Sequence, residues 1–402
     1  MCETWGVVVV IGIIGKPNVG KSTFFRSVTL LPVKTANYPF TTVQPYIGTG
    51  YLVIDCIESY FKVKCNPRSG TCKRGKRYIP IEIIDIPGLV EEAYRGKGLG
   101  NKFLDITRNV DVLINIIDIA GTTDMNGRPV PEGSYNPMRD FIWVENEIDT
   151  WFFYKIKNNV AKIYEKYMKN EKKLKEKIIY LFLSFKIKKE TLIYVLEKFN
   201  KSIEEIIKDD ELLFNFCREV RKIGKPIVYA ANKIDLDYGK RYYKKALKEY
   251  SDKIIIPTSA YVELGLKIMD MEGKIEYVPG EEIELKINDP QVEVFVEYAK
   301  HSVIDEFGST GVQEALNAAI FNALGYIAVW PVATEDLKDT KGRILPDIVL
   351  LPPGSKVKDL AMKLHTELYK KMVLAKELKS GKILKKEDLL EHNDVINIIT
   401  KK

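Results

Sequence analysis

The chain has 402 residues, 46% of them hydrophobic and 10% aromatic, with a formal net charge of +7. That length exceeds a typical single domain, and that apolar content supports packed cores and excludes wholesale disorder. No apolar run approaches the roughly 18–20 residues that cross a bilayer, and five cysteines, sparse and odd in number, fit a reducing cytosol better than a disulfide framework.

The first element is the run "VVVVIGII", Val7–Ile14. No basic region precedes it and no small-residue cleavage site follows, so it reads as a buried strand and not as a signal peptide. Directly after it, "GKPNVGKSTFF" sets a Gly-x-x-x-x-Gly-Lys-Ser pattern, Gly15 to Ser22, between that strand and a predicted helix. Such a loop needs glycines so that backbone N–H groups can surround phosphate oxygens, and a helix N-terminus for its dipole. It also needs a lysine for the β/γ charge and a hydroxyl for magnesium. Gly15, Lys16, Pro17, Asn18, Val19, Gly20, Lys21, Ser22 and Thr23 form the candidate phosphate loop.

An excursion follows, "CIESYFKVKCNPRSGTCKRGKRY" from Cys56 to Tyr78. Its three cysteines have no nearby histidine, no Cys-x-x-Cys pair and no fourth ligand in the loop, so they read as reduced loop cysteines before a zinc site. The basic cluster Arg68–Arg77 reads as a solvated loop, with RNA contact as the sharper reading. Two further apolar runs, "IPIEIIDIPG" and "VDVLINIIDIAG", have the near-continuous apolar character of parallel strands covered on both faces. Asp85, at the tip of the first, is placed to hold magnesium through a water, and the Gly88 amide to bond a γ-phosphate.

From about residue 144 the pattern changes. There is neither Gly nor Pro over a long stretch, and Ile156, Val160, Ile163, Tyr164 and Tyr167 recur at helical spacing. Two or three inserted helices are expected, among them an antiparallel pair, with Gly224 at the position of a C-cap glycine. Ten lysines face three glutamates between Lys162 and Lys189. They form either a solvated helix face or a patch that meets nucleic-acid phosphate. The strand pattern then resumes with "KPIVYAANKID" and "KIIIPTSA". A carboxylate such as Asp235 accepts two hydrogen bonds from the N1–H and exocyclic amine of guanine, a pair adenine cannot offer. Asn232 can brace the phosphate loop, the stem of Lys233 can cover the base, and a backbone amide at Ser259 or Ala260 can reach guanine O6.

After residue 280 two helices are expected, the second opening on a capping box formed by Thr310 and Gln313. From about Ile327 the order strand, strand, helix, strand, strand suits a ubiquitin-like β-grasp module, with Val357, Leu360, Ala361, Leu364 and Leu368 on one helix face. The three histidines are scattered and suggest no metal or triad. The fold class is therefore α/β, and each motif falls just past a strand, at the edge where open α/β sheets bind ligands. A metabolic kinase is disfavoured, because "NKID" and "TSA" would have no purpose in one.

Taken together, "GKPNVGKSTFF", "NYPFTT", "DIPGLV" with "GKGLGNKFLD" after it, "NKID", "TSA" and "FGSTGVQ" resemble the Obg-like GTPases. The match is close to the YchF branch, nearest its archaeal type with a C-terminal TGS domain, and covers nearly the whole chain. The resemblance implies a phosphate-loop G domain over 1–143 and 224–279, a helical insertion over 144–223, connecting helices over 280–326 and a TGS domain over 327–402. It implies a cytoplasmic Mg2+-dependent enzyme that hydrolyses GTP to GDP, with Lys21, Thr42 and Gly88 at the reacting phosphate and Ser22, Thr42 and Asp85 around magnesium. Switch I would span Asn37–Thr42. Leu89 occupies the place where many small GTPases carry a water-orienting glutamine, so intrinsic hydrolysis should be slow. Asn18 stands where an asparagine can help bind a potassium ion. The intact "NKID" favours GTP, whereas YchF-like proteins with a degenerate motif prefer ATP. The implied partner is the ribosome or another RNA, with no membrane or DNA. The alternatives are a nucleotide-regulated protein-interaction scaffold and an ATP-preferring YchF-like hydrolase.

Overall fold

The computed structural model describes residues 9–30, 34–35, 45–87 and 105–401. Its largest sheet holds β1 (Val10–Ile14), β2 (Lys34–Thr35), β3 (Tyr46–Asp55), β4 (Thr71–Lys73), β5 (Lys76–Asp85), β6 (Val112–Asp118), β7 (Ile227–Asn232) and β8 (Ile254–Thr258). The order is β2-β3-β5-β1-β6-β7-β8, with β4 paired to β5 off that path. β5, β1, β6, β7 and β8 run parallel, and β3 lies antiparallel to β5. Every residue of β1, β6 and β7 is buried, as their unbroken Val/Ile character requires for strands covered on both faces. The register aligns Ile13 with Asp85, Asp118 with Asn232, and Asn232 with Thr258. The strand tips that carry the motifs therefore lie along one edge.

Helix α1 (Lys21–Thr29) leaves the sheet directly from Gly20. After the short turn α2 (Glu58–Phe61), the inserted region forms five helices, not two or three: α3 (Met138–Tyr167), α4 (Glu171–Leu183), α5 (Lys189–Phe199), α6 (Ile203–Lys208) and α7 (Asp210–Gly224). The helix α3 begins after Pro137 and runs unbroken through the expected boundary at 143/144. It does so because Phe141, Val144 and Ile148 already belong to the same buried face as Trp151, Phe152 and Ile156. Gly224 is the last helical residue and not a left-handed cap beyond it. Its side is occupied, since a Cβ there would lie 2.6 Å from Ile187 Cδ1. Close packing, and not backbone conformation, therefore explains that glycine.

Two helices flank the last parallel strands, α8 (Asp237–Glu249) and α9 (Ala260–Met271). The next, α10 (Pro290–Ala299), is capped by Asp289 and runs on through a π-helical turn at Lys300–Ile304. The expected capping box at Thr310 is absent. The helix α11 (Val312–Asn317) starts after left-handed Gly311, and both supposed box side chains are used elsewhere: Thr310 Oγ1 donates to Glu263 Oε2 at 2.5 Å and Gln313 Nε2 to Tyr51 O at 3.0 Å. Local spacing matched a cap, but long-range partners in the sheet and in α9 claimed the side chains.

The C-terminal sheet has the order β12 (Val349–Leu351), β11 (Ile327–Val332), β15 (Val395–Thr400), β13 (Met372–Glu377), β14 (Ile383–Leu384), numbered after the small ribbon β9 (Ile275–Glu276) and β10 (Glu284–Leu285). The central pair β11 and β15 is parallel, as in a β-grasp. The expected single helix is two, α12 (Val357–Leu364) and α13 (Thr366–Lys371). His365 adopts an extended conformation between them and accepts from the Glu367 N–H through Nδ1, which restarts the second helix. No helix among the described residues is long and apolar enough to cross a membrane.

Candidate nucleotide-binding site

The loop from Gly15 to Gly20 joins the tip of β1 to α1. Gly20 sits at φ 102°, and a Cβ there would lie 2.3 Å from Asn232 Nδ2, so both backbone conformation and space demand glycine. That contact marks the link between two of the motifs. Asn232 Nδ2 donates to Val19 O at 2.9 Å, while its Oδ1 accepts from the Ala260 N–H at 3.0 Å. One buried amide thus spans the phosphate loop, the tip of β7 and the start of α9, bringing Gly20, Asn232 and Ala260 together as the sequence implied. The Ala260 amide is already engaged, so a purine O6 would share it with Asn232.

Lys21 is buried beneath the loop and donates Nζ to Lys16 O at 2.6 Å. Burial pulls its pKa down to about 8, partly opposed by the charge of Asp85. Asp85, at the tip of β5, is pushed up to about 6 by burial, against the attraction of Lys21 and a hydrogen bond with Ser22. Asp85 Oδ1 is buried without a partner. Two groups whose charged forms burial disfavours are thus held side by side.

Asp235 ends the base-reading motif. Its Oδ2 accepts from Tyr298 Oη at 3.0 Å, and its Oδ1 is buried with no partner. Lys233, at φ 66°, carries its Nζ to Asp118 Oδ2 at 3.0 Å and Thr122 Oγ1 at 2.8 Å. Ser259 does not point at the base loop. It caps α9 by accepting from the Val262 N–H at 3.3 Å, and its own N–H donates to Thr310 O at 2.9 Å. Pro17 and Val19 lie in the loop, and Thr23 lies in the first turn of α1. Asn18 donates Nδ2 to Gly127 O at 2.9 Å. Thr42, Gly88 and Leu89, with the rest of Asn37–Thr42, lie outside the described residues.

Four groups at the site were given no role there from the sequence. Asp118 ends β6 and its Oδ2 gathers Thr122, Thr123 and Lys233. Asp140, in the first turn of α3, lies 2.8 Å from Lys16 Nζ, with both side chains almost wholly buried. Tyr298 holds Asp235. Thr310 and Gly311 brace the "TSA" turn, where a Cβ on Gly311 would lie 1.6 Å from Pro257 O. Only the last had a sequence signal, the "FGSTGVQ" stretch.

The basic excursion does not present a free cationic face. Arg77 is buried and donates to Leu345 O and Pro346 O at 3.1 and 2.8 Å. Lys73 pairs with Asp270, Arg74 with Glu284, Lys76 with Asp55 and Glu281, and Arg68 with Asp347. The reading of Arg68–Arg77 as an RNA contact is therefore corrected: these cations hold the excursion to the rest of the molecule. Lys162, Lys166, Lys169, Lys172, Lys173, Lys175 and Lys177, by contrast, are all exposed on the end of α3, the turn after it and α4.

Three family profiles match: a 50S ribosome-binding GTPase over residues 10–144, the G4 motif-containing domain of YGR210-like Obg-like GTPases over 230–334, and the TGS domain over 339–400. A GTP-binding protein of Methanocaldococcus jannaschii is 38% identical over 97% of this chain and 98% of its own length. The chain belongs to the Obg-like, YchF-related family of GTP-binding proteins. A second relative in Schizosaccharomyces pombe, also a GTP-binding protein, is 32% identical over 81% of each chain. The ribosome-binding ATPase YchF of Buchnera aphidicola is 31% identical over 59% of this chain and 60% of its own. Among solved structures, a GTP-binding protein from Pyrococcus horikoshii superposes with a TM-score of 0.74 at 30% identity, covering 98% of this chain and all of that one. This Obg-like protein thus combines a P-loop G domain with a C-terminal TGS domain.

Proposed function

We propose that this Obg-like protein binds GTP in preference to ATP, hydrolyses it with Mg2+, and acts as a nucleotide-dependent switch on the ribosome or another RNA in the cytoplasm. The observation that carries the nucleotide reading is the orphaned, buried Oδ1 of Asp235, on a turn that Asn232 ties to the phosphate loop at Val19 O. A buried carboxylate oxygen without a donor is costly unless a ligand supplies one, and guanine supplies two in the geometry of a carboxylate.

The residues present fit a magnesium ion. Ser22 and Asp85 bring a hydroxyl and a carboxylate together, and Asp85 Oδ1 has no other partner. When bound, the ion supplies positive charge at the β- and γ-oxygens. Lys21 adds a second positive charge at the transferring group, and the phosphoryl oxygens restore the protonation that burial opposes. The amides of Gly15–Ser22 orient the chain of phosphates. Thr42 and Gly88 complete the proposal as the γ-phosphate contacts that hold two loops in the triphosphate state and free them after hydrolysis. A leucine at 89 cannot orient water, so turnover is slow until a partner supplies the missing group.

The partner reading is supported by the exposed lysines of α3 and α4 and by the ribosome-binding name of the YchF relatives. The deciding experiment is equilibrium competition for a bound fluorescent guanine nucleotide. GTP should displace it at least about tenfold more tightly than ATP, a difference of about 1.4 kcal/mol. Equal displacement by ATP would overturn the guanine assignment and favour the ATP-preferring reading.

A further inference from the structure

The sequence offered three cysteines and no fourth ligand in the excursion between β3 and β5. The fold supplies the fourth. Cys56 follows β3, Glu58 opens the single turn α2, Cys65 lies in the loop beyond, and Cys72 sits on β4. Their ligand atoms all lie within 4.8 Å of one another. We propose that Cys56, Glu58, Cys65 and Cys72 form a tetrahedral zinc site that clasps the excursion and so sets the surface on which the TGS domain rests.

The geometry supports zinc in particular. A tetrahedron with Zn–S of about 2.3 Å and Zn–O of about 2.1 Å has an S···S edge of about 3.8 Å and an S···O edge of about 3.6 Å. Cys56 Sγ and Cys65 Sγ stand 3.7 Å apart, and Cys72 Sγ stands 3.5 Å from Glu58 Oε1. Two opposite edges thus already have the required length, and rotation about the side-chain bonds closes the others. The carboxylate is also pre-oriented for one-oxygen ligation. Glu58 Oε2 accepts from the Cys65 N–H at 2.9 Å, which leaves Oε1 aimed at the thiols. Metal ligands held in this way by a backbone donor keep their orientation before the ion arrives. Binding exchanges three thiol protons for one divalent cation, and the protons pass to solvent. Lys62 and Lys64, both exposed, flank the cluster in the chain and offset part of the negative charge of three thiolates and a carboxylate.

The site lies where two modules meet. Cys56, with Cys65 and Cys72 against it, packs in one apolar cluster with Trp330, Leu337, Leu345 and Val395. Just beyond Cys65, the N–H groups of Asn66 and Arg68 donate to Ile344 O and Pro346 O at 2.8 and 3.0 Å. An ion holding both ends of the Cys56–Cys72 excursion fixes the backbone that makes those bonds. The stretch of 17 residues has one short helical turn and the start of β4, so the ion would add a crosslink to the backbone bonds and the Arg68–Asp347 pair that already tether it.

The test uses the full chain purified under reducing conditions, stripped with a chelator and reloaded with Zn2+ or Co2+ alone. We expect one zinc per chain, and for cobalt the thiolate charge-transfer and tetrahedral ligand-field absorption bands. Cys65→Ser and Cys72→Ser should abolish the bands, Glu58→Gln should weaken zinc at least about tenfold, and Cys217→Ala, buried elsewhere, should keep both. Cobalt bound without thiolate bands to the wild-type chain would overturn the proposal. So would zinc retention unchanged in Cys65→Ser, an affinity unchanged in Glu58→Gln, or a Cys56–Cys65 disulfide in place of metal.

Discussion

Removing the carboxylate of Asp140 tests whether the helical insertion holds the phosphate loop in place. Lys16 and Asp140 are each about 2% exposed, and the ammonium also meets Thr123 O at 3.0 Å and the Tyr135 ring at 3.7 Å from its centroid. Tyr135 Oη in turn donates to Asp140 Oδ1 at 2.7 Å. Burial raises the Asp140 pKa despite Lys16 beside it, so desolvation outweighs the attraction and the pair adds little net stability by existing. Breaking it is another matter. Asp140→Asn keeps an oxygen for Tyr135 but leaves Lys16 charged and buried, which costs about 3 kcal/mol, at the lower end for such a break. That is roughly a hundredfold in the folded-to-unfolded ratio. Urea unfolding followed by far-UV circular dichroism gives the number, and a separate cycle of Asp140→Leu, Lys16→Met and the double variant Lys16→Met/Asp140→Leu isolates the coupling. The double variant should recover most of the loss, because an apolar pair of similar volume removes the stranded charge. A cost below about 1 kcal/mol for Asp140→Asn, or strict additivity in the cycle, would refute the reasoning.

Asp235→Asn should weaken GTP by at least about a hundredfold, since two hydrogen bonds to a charged acceptor are removed, while leaving ATP binding nearly unchanged; isothermal titration with both nucleotides checks this, and an equal loss for ATP would contradict the base-reading role. Lys225 is fully buried, donates to Val110 O, and is lowered to about 7 by burial, against the pull of Asp111. The unfolded chain then binds more protons between about pH 7 and the ordinary value of 10.5, so stability rises with pH through that window. Wild-type urea midpoints should therefore increase from about pH 7 to pH 9 by more than those of Lys225→Met, and parallel shifts would refute the assignment. Changing Lys172, Lys173, Lys175 and Lys177 to Glu should flatten the dependence of ribosome or RNA binding on log salt by roughly 0.7–0.9 for each phosphate no longer neutralised. A slope identical to wild type would support a protein-interaction scaffold instead.

The layout of the candidate site was largely legible in the sequence, because its motifs are local. A phosphate loop works through backbone amides and neighbouring residues, so Gly15–Ser22 carries its own signature, and the same holds for Asp85 at a strand tip and "NKID" after β7. The parallel strands were legible because burial on both faces leaves no polar position in β1 and few in β6 or β7. What tertiary structure alone decided were pairings across long stretches of chain. Asp140 reaches Lys16, Tyr298 reaches Asp235, Gln313 reaches Tyr51, and Glu58 joins three cysteines. Local rules misread several of these residues, taking Thr310 for a helix cap and Arg68–Arg77 for an open cationic loop. A polar side chain satisfies its hydrogen bonds with whichever partner the packed fold brings near, and its own spacing in the chain does not reveal that partner.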